Sequence, residues 1–350
     1  MTVGARLTSQ WARAVVSEAA GSRIVVVSDA RVARVVAPRF FTALRRAGAR
    51  PLLLTFPAGE RFKSRETKAR LEDRLAAEAV GRDALVVALG GGVTGDLAGF
   101  LAATWHRGVP VFQVPTSLLA MADAALGGKT AVDHPAGKNL VGAFHPPRAL
   151  WADVAALATL PDRELRCGLA EAVKIAAALD ARLFARLERD AARLLAREER
   201  ALVPVIERCL RLKGRVVSRD PTDRGPRAIL NFGHTAAHAV EAASAYRVRH
   251  GEAVAIGLVA EARIGERVSG FPQEATERLR ALLLRLGLPV TLPASLDPAA
   301  VARYALADKK TRGGIVRCAL PVDLGRPPER SDPTFPIRLG RDLVPAWRGN

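Results

Sequence analysis

Short apolar runs alternate with helix-like stretches through the first part of the chain. The runs are IVVV at 24–27, PLLLTF at 51–56, ALVVAL at 84–89, VPVFQVP at 109–115 and ALWADV at 149–154. Runs of this length separated by amphipathic stretches predict a parallel α/β sheet. After Leu160 and Pro161 the strand pattern stops, and Ala/Leu/Arg/Glu-rich stretches with apolar residues at i, i+3 and i+4 take over. That period predicts helices, so the expected architecture is an α/β unit over 1–160 and an all-α unit over 161–350. The cleft between the two is the expected ligand site. No clear strand is predicted at the extreme N-terminus. The Pro- and Arg-rich stretch LGRPPERSDPTFPIRLGRDLVPAWRGN predicts a loosely packed tail.

Composition sharpens this picture in three places. At 350 residues, 49% hydrophobic and 25% charged, the chain has the length of two domains and the content of a folded protein, which excludes disorder. No apolar run approaches the roughly 18 residues of a membrane span, and the opening MTVGARLTSQWARAVV lacks a signal-peptide stretch, so a cytoplasmic location is expected. Cys167, Cys209 and Cys318 are odd in number and lack CxxC spacing, which predicts reduced thiols.

A net charge of +18 suits nucleic acid, a membrane surface or an anionic small substrate. The excess is arginine spread along the chain, and aromatics are only 5%, which argues against a nucleic-acid stacking surface. Of the 53 basic residues only eight are lysine: Lys63, Lys68, Lys129, Lys138, Lys174, Lys213, Lys309 and Lys310. A lysine kept in so arginine-rich a chain points to a need for a compact, titratable ammonium. All but Lys68 fall in the segments with candidate chemistry.

The first such segment is LVVALGGGVTGDLAGF, where Gly90, Gly92 and Gly95 follow a predicted strand and open a predicted helix. This is the spacing of a dinucleotide turn, in which bare backbone approaches a pyrophosphate at a helix N-terminus. The acidic residue expected about 20 positions later is missing, so an ordinary Rossmann site is not predicted. Asp29, and Gly59, Glu60 and Lys63, are the candidates for holding the nucleoside; their ordinary alternative is loop and cap duty. ALGGKT at 125–130 imitates a Walker A ending, but Asp123 occupies the position of its first glycine, which rejects a P-loop. The remaining glycines and lysines through Gly137, Lys138 and Asn139 predict a flexible, donor-rich stretch for phosphate or carboxylate.

In GLAEAVKIAAAL, Glu171 and Lys174 are three apart on one helical face, ordinarily an exposed ion pair. NFGHTAAHAVE places His234 and His238 one turn apart, and His250 follows in RHGEAVAIG. Three of the six histidines thus fall within 17 residues, beside a helix that can offer a carboxylate. The pattern fits a His/Glu divalent-metal site, and spacing alone selects His234 and His238 as its pair.

Taken together, GGGVTGDLAGF, ATWHRG, VPTSLLAMADAALGGKTAVDHPAGKNLVGAF, LPDRELRCGLAEAVK, ILNFGHTAAHAVE, HGEAVAIG and ADKK resemble the 3-dehydroquinate synthase family across roughly residues 24–325. The resemblance implies an NAD-binding α/β domain, a helical domain with Zn2+ or Co2+, and a homodimer. Its metal ligands are Glu171, His234 and His250, which moves His238 away from the ion. It assigns Asp29, Glu60, Lys63, Gly91, Gly92, Asp96, Thr116, Ser117 and Asp123 to the NAD site, with Lys129 and Lys138 bordering it. It surrounds the substrate with Lys129, Lys138, Asn139, Lys174, Lys213, Arg227, Asn231, His238 and Lys310, and has Arg107 reach the phosphate across the dimer. The implied reaction turns 3-deoxy-D-arabino-heptulosonate 7-phosphate into 3-dehydroquinate and phosphate, an early step of the shikimate pathway. Ser117 stands where a second threonine is usual and keeps the hydroxyl.

Related cyclases act on neutral sugar phosphates and alter the carboxylate-holding positions, whereas Lys213, Arg227, Asn231 and Lys310 are all present here. An amino-analogue synthase of a secondary pathway would keep the same four. Metal-dependent alcohol dehydrogenases of similar fold have no use for so many anion-binding lysines. A basic nucleic-acid-binding protein is the alternative of a different class.

Overall fold

A computed structural model describes residues 1–306, 316–337, 342 and 344–347. The chain forms two compact units, Met1–Pro161 and Asp162–Asn350.

The first unit runs β1 (Thr2–Gly4), α1 (Thr8–Ala19), β2 (Ile24–Asp29), α2 (Ala30–Val35), α3 (Ala37–Arg46), β3 (Leu52–Phe56), α4 (Arg65–Ala77), β4 (Leu85–Gly90), α5 (Gly92–Thr104), β5 (Val111–Pro115), β6 (Lys129–His134), β7 (Gly137–Phe144) and β8 (Ala149–Asp153). Six strands make one parallel sheet in the order β1-β8-β5-β4-β2-β3. Alternate side chains of each central strand enter opposite cores. Val25, Val27, Val86, Ala88 and Val111 pack with Leu71, Leu75, Leu97 and Leu101 of α4 and α5. Ile24, Val26, Leu85, Val87 and Phe112 pack with Trp11, Val15, Phe40 and Leu44 of α1 and α3. Helices on both faces are why these strands are apolar throughout rather than at every second residue.

Two segments differ from the sequence expectation. The N-terminus holds a strand, β1, paired in parallel with Trp151–Asp153. Three residues have no period to read; the strand lies against β8, whose Asp153 holds the following turn by accepting hydrogen bonds from the backbone N–H of Arg6 (2.8 Å) and Leu7 (3.0 Å) as well as from Ala155 (3.1 Å). The stretch expected to be a flexible loop is the antiparallel hairpin β6–β7, with Lys129 opposite Phe144 and Val132 opposite Val141. Val132 is fully buried in the core beneath α5, and Gly142 lets the strands close, since a Cβ there would lie 2.1 Å from the Thr130 carbonyl.

The second unit contains α6 (Asp162–Leu179), α7 (Ala181–Leu195), α8 (Glu199–Arg219), α9 (His234–Ala243), α10 (His250–Val268), α11 (Gln273–Arg285), α12 (Pro298–Leu306), β9 (Val316–Ala319), β10 (Thr334–Ile337) and α13 (Val344–Trp347). It is helical as expected and carries in addition the short antiparallel β9–β10 ribbon, which the pattern of apolar positions did not predict. The tail also packs more closely than its composition predicts. Leu324, Ile337 and Trp347 are buried, and Gly325 (φ +74°) donates its N–H to Ala177 O at 2.7 Å. Among the described residues no helix is long and apolar enough to cross a membrane.

Asp153→Ala leaves three backbone donors without their acceptor, and is expected to destabilise the first unit by about 1–3 kcal/mol. Urea unfolding followed by Trp11 fluorescence checks this; an unchanged midpoint would show that β1 adds nothing to stability.

Candidate active site

Three helices of the second unit meet at glycines. A Cβ on Gly251 would lie 2.3 Å from Cys167 Cα, so α10 crosses α6 at near backbone contact. A Cβ on Gly257 would lie 2.0 Å from Gly233 O, so α10 also touches the turn that opens α9. Gly233 has φ +81°, a left-handed conformation that glycine adopts without strain. These approaches bring Glu171, one turn after Cys167, to His250, next to Gly251, and to His234, next to Gly233.

The resulting geometry is convergent. His250 Nε2 lies 2.9 Å and His234 Nε2 3.7 Å from Glu171 Oε1, and one ligand atom from each of the three residues lies within 4.8 Å of the others. Lys174 Nζ stands 2.7 Å from Glu171 Oε2, close enough for an ion pair but out of line for a hydrogen bond. The pair is 3% and 2% exposed, so the ordinary exposed-pair reading does not hold.

Electrostatics prepare this set for a cation. Burial alone raises the Glu171 carboxyl, but Lys174, His234 and His250 outweigh it and hold the pKa well below the usual range. Burial, then the Lys174 ammonium, pushes His234 down to about 3, which keeps its imidazole neutral with a free lone pair. Burial also lowers His250, but the hydrogen bonds it donates to Glu171 and Glu241 prevail and raise it to about 10. A proton and a divalent ion compete for that nitrogen, so ion binding there releases a proton. One carboxylate and two imidazoles are a donor set that zinc-type ions accept while keeping an open position for substrate.

His238, selected by helical spacing, is exposed on α9 with its ring edge-on to His234 at 5.6 Å; it is not among the converging atoms. Spacing failed because His250 arrives from another helix. Lys174, Lys213 and Arg227 are all buried. The Arg227 turn is built by Asp220, whose carboxylate accepts from the N–H of Arg224, Gly225 and Arg227 at 3.0, 2.7 and 3.2 Å. Asn231 ends the same 3-10 turn, Pro226–Asn231. Lys309 and Lys310 lie outside the described residues.

In the first unit the chain leaves β2 toward β3 on one side and β4 toward β5 on the other, so the switch point lies between β2 and β4. Asp29 ends β2 and caps α2, accepting from Arg31 N (2.9 Å) and Val32 N (3.1 Å), while Thr94 Oγ1 reaches its other oxygen at 3.4 Å. Gly91 is the N-cap of α5 and gives that helix no side-chain cap. Gly90, Gly95 and Gly99 are glycine for packing, since a Cβ would meet Thr94, Gln113 or Thr130 at 2.3, 2.9 or 2.4 Å. Gly92 has no such neighbour nearer than 3.7 Å, and Gly91 only the Ser117 hydroxyl at 3.3 Å. A bare, uncapped helix start at a switch point fits a pyrophosphate.

Lys63 ties this region together, donating to Asp96 Oδ2 (2.6 Å) and Asn139 Oδ1 (2.5 Å) from a buried position. Burial lowers its pKa, but Asp96 and Glu60 more than restore it. Lys138 pairs with Glu60 at 3.6 Å. Thr116 donates its N–H to Gly90 O, Ser117 accepts from Ala120 N, and Asp123 is buried in the following turn. Lys129 is exposed at the start of β6. Arg107 is exposed in a turn where His106 and Arg107 hold φ +47° and +68° before Gly108.

Solved structures share this architecture. One is 2-deoxy-scyllo-inosose synthase complexed with carbaglucose-6-phosphate, NAD+ and Co2+ (TM-score 0.87, 27% identity, covering 100% of this chain and 96% of that one). Another is 2-epi-5-epi-valiolone synthase from Streptomyces hygroscopicus subsp. jinggangensis with NAD+ and Zn2+ (TM-score 0.87, 30% identity, 99% and 94%). The fold and the convergent site therefore define a sugar phosphate cyclase. Family models described as 3-dehydroquinate synthase N-terminal and C-terminal match residues 53–167 and 168–311. The 3-dehydroquinate synthase of Synechococcus sp. is 45% identical over 311 residues, 87% of this chain and 84% of that one. The chain belongs to the 3-dehydroquinate synthase family.

Sequence reasoning missed two buried carboxylates beside the ligand atoms, Glu241 and Glu261. Glu241 stands seven residues after His234, the spacing of one helical face, and that signal was available in HTAAHAVE. Nothing in the sequence alone pointed to Glu261.

Gly257→Ala places a methyl against the Gly233 carbonyl and is expected to cost about 1–3 kcal/mol or more. Thermal unfolding combined with atomic-absorption measurement of retained zinc checks it: both midpoint and metal content should fall, and a variant equal to wild type would mean that the helix approach is not required.

Proposed function

We propose that this chain converts 3-deoxy-D-arabino-heptulosonate 7-phosphate into 3-dehydroquinate and phosphate, as a carbon–oxygen lyase using NAD and a divalent ion, Zn2+ or Co2+. The observation that carries the reading is the convergence of Glu171, His234 and His250 in a unit that also buries Lys174, Lys213 and Arg227. These basic groups lie in the same unit as the converging residues, and the substrate brings a carboxylate and a phosphate for such groups to meet.

Residue roles follow from chemistry. Glu171, His234 and His250 hold the ion, and the bare start of α5 with Asp29, Glu60, Asp96, Thr116, Ser117 and Asp123 holds NAD. When bound, NAD supplies reversible hydride acceptance and the ion supplies Lewis-acid polarisation of a substrate oxygen. Lys63 holds the Asn139 amide so that its N–H2 end remains free to donate to substrate. Arg227 and Lys213 receive the carboxylate with Asn231 and Lys310, while Lys129, Lys138, Lys174 and His238 orient the remaining oxygens and hold protons near them. The same reading assigns NAD to Met1–Pro161 and metal and substrate to Asp162–Asn350, with a homodimer in the cytoplasm. Arg107 supports the dimer part: an exposed arginine held in a left-handed turn is positioned for a ligand outside its own fold.

The test is phosphate release from the heptulosonate with and without chelator. Activity that chelation abolishes and Zn2+ or Co2+ restores is expected; release from sedoheptulose 7-phosphate but not from the heptulosonate would replace the proposal with a neutral-sugar cyclase. Steady accumulation of NADH would replace it with a dehydrogenase. Arg227→Ala removes a charge-assisted contact of about 1.5–3 kcal/mol, so KM for the acidic substrate should rise by one to two orders of magnitude. An unchanged KM would take Arg227 out of the carboxylate site.

A further inference from the structure

The two helices that supply the imidazoles also exchange carboxylates. Glu241 on α9 reaches across to His250, the first residue of α10, with Oε2 3.3 Å from Nδ1. Glu261 on α10 reaches back to the first turn of α9, accepting from Gly233 N at 2.8 Å and Ala236 N at 2.9 Å. Glu241 is 4% and Glu261 0% exposed, so both carboxylates have given up water to make these contacts. Glu261 is answered by the backbone donors at the positive end of a helix, an arrangement that explains it fully as an N-terminal cap.

The two nitrogens of His250 face different groups. Nε2 points to Glu171 Oε1 at 2.9 Å, into the set that includes His234, while Nδ1 points to Glu241. An imidazole whose Nδ1–H is held by a carboxylate is fixed in one tautomer and one orientation. When an ion replaces the proton on Nε2, that nitrogen carries the lone pair, and the neighbouring negative charge strengthens its donation. From this geometry we infer that Glu241 is a positioning residue for the ion: it locks His250 with Nε2 toward Glu171 and strengthens its donation, without itself touching metal or substrate. The inference deepens the proposed function and rests on its metal assignment.

Zn2+ affinity measured by equilibrium competition with a chromogenic chelator tests the role, alongside the visible spectrum of the Co2+-loaded protein. Glu241→Leu, which removes both the acceptor and the charge, is expected to bind Zn2+ about 10- to 100-fold more weakly than wild type. Glu241→Gln keeps an acceptor without the charge and should fall between the two. Both should shift the Co2+ bands, because the His250 ring is no longer held, while NAD affinity and the circular dichroism of the folded protein stay at wild-type values. If Glu241→Leu does not fold, Glu241→Gln alone decides. Variants that melt at lower temperature yet bind Zn2+ with wild-type affinity and an unaltered Co2+ spectrum would show that Glu241 only packs α9 to α10, and would overturn the inference. A wild-type protein that takes up no stoichiometric Zn2+ or Co2+ would instead overturn the metal assignment beneath it.

Discussion

The active unit depends on helix backbones lying closer than side chains normally allow. Packed helices usually keep about 8–10 Å between axes, with side chains filling the interval. At Gly251 and Gly257 there is no side chain, and a single methyl would overlap Cys167 or Gly233. That closeness lets three side chains from three helices bring ligand atoms within 4.8 Å of one another. It also buries Glu171, Lys174, Glu241 and Glu261, so each charge must find its compensation inside the unit. Lys174 answers Glu171, His250 joins Glu171 to Glu241, and the start of α9 answers Glu261.

The first unit solves a different problem. Its parallel sheet, covered on both faces, is rigid and apolar, and polar ligands are accommodated only where the connections diverge between β2 and β4. Gly90 at the end of β4 and Gly95 and Gly99 inside α5 are consumed by packing, while Gly91 and Gly92 stay bare at the uncapped start of α5. Lys63 then ties α5 to the β6–β7 hairpin through Asp96 and Asn139. A residue that looks from its neighbours like a ligand contact is thus also the tie that holds two neighbouring elements in place.

Family membership and this electrostatic layout point the same way. A chain rich in arginine reserves its few lysines for places where an ammonium is enclosed or paired: Lys63, Lys174 and Lys213 are buried, and Lys138 meets Glu60. The +18 charge, which suits nucleic acid, a membrane surface or an anionic small substrate alike, is here best matched by the last of the three.

What the sequence alone determined was whatever repeats locally. Five strands of the parallel sheet and the change to helices near Pro161 were legible because short continuous apolar runs and a period of about 3.6 residues are properties of neighbouring positions. The ordered motifs were specific enough to reveal the family and to name Glu171, His234 and His250. What only the tertiary structure decided was every feature created by residues far apart in the chain. Strand β1 exists because it pairs with β8, whose Asp153 holds the turn that follows it, and the lysine-bearing stretch is a hairpin because Val132 finds a core beneath α5. His250 displaces His238 from the converging set because α10 crosses α6 at a glycine. Helical spacing describes one helix at a time, whereas the distance between imidazoles on different helices is set by how closely their backbones can pack.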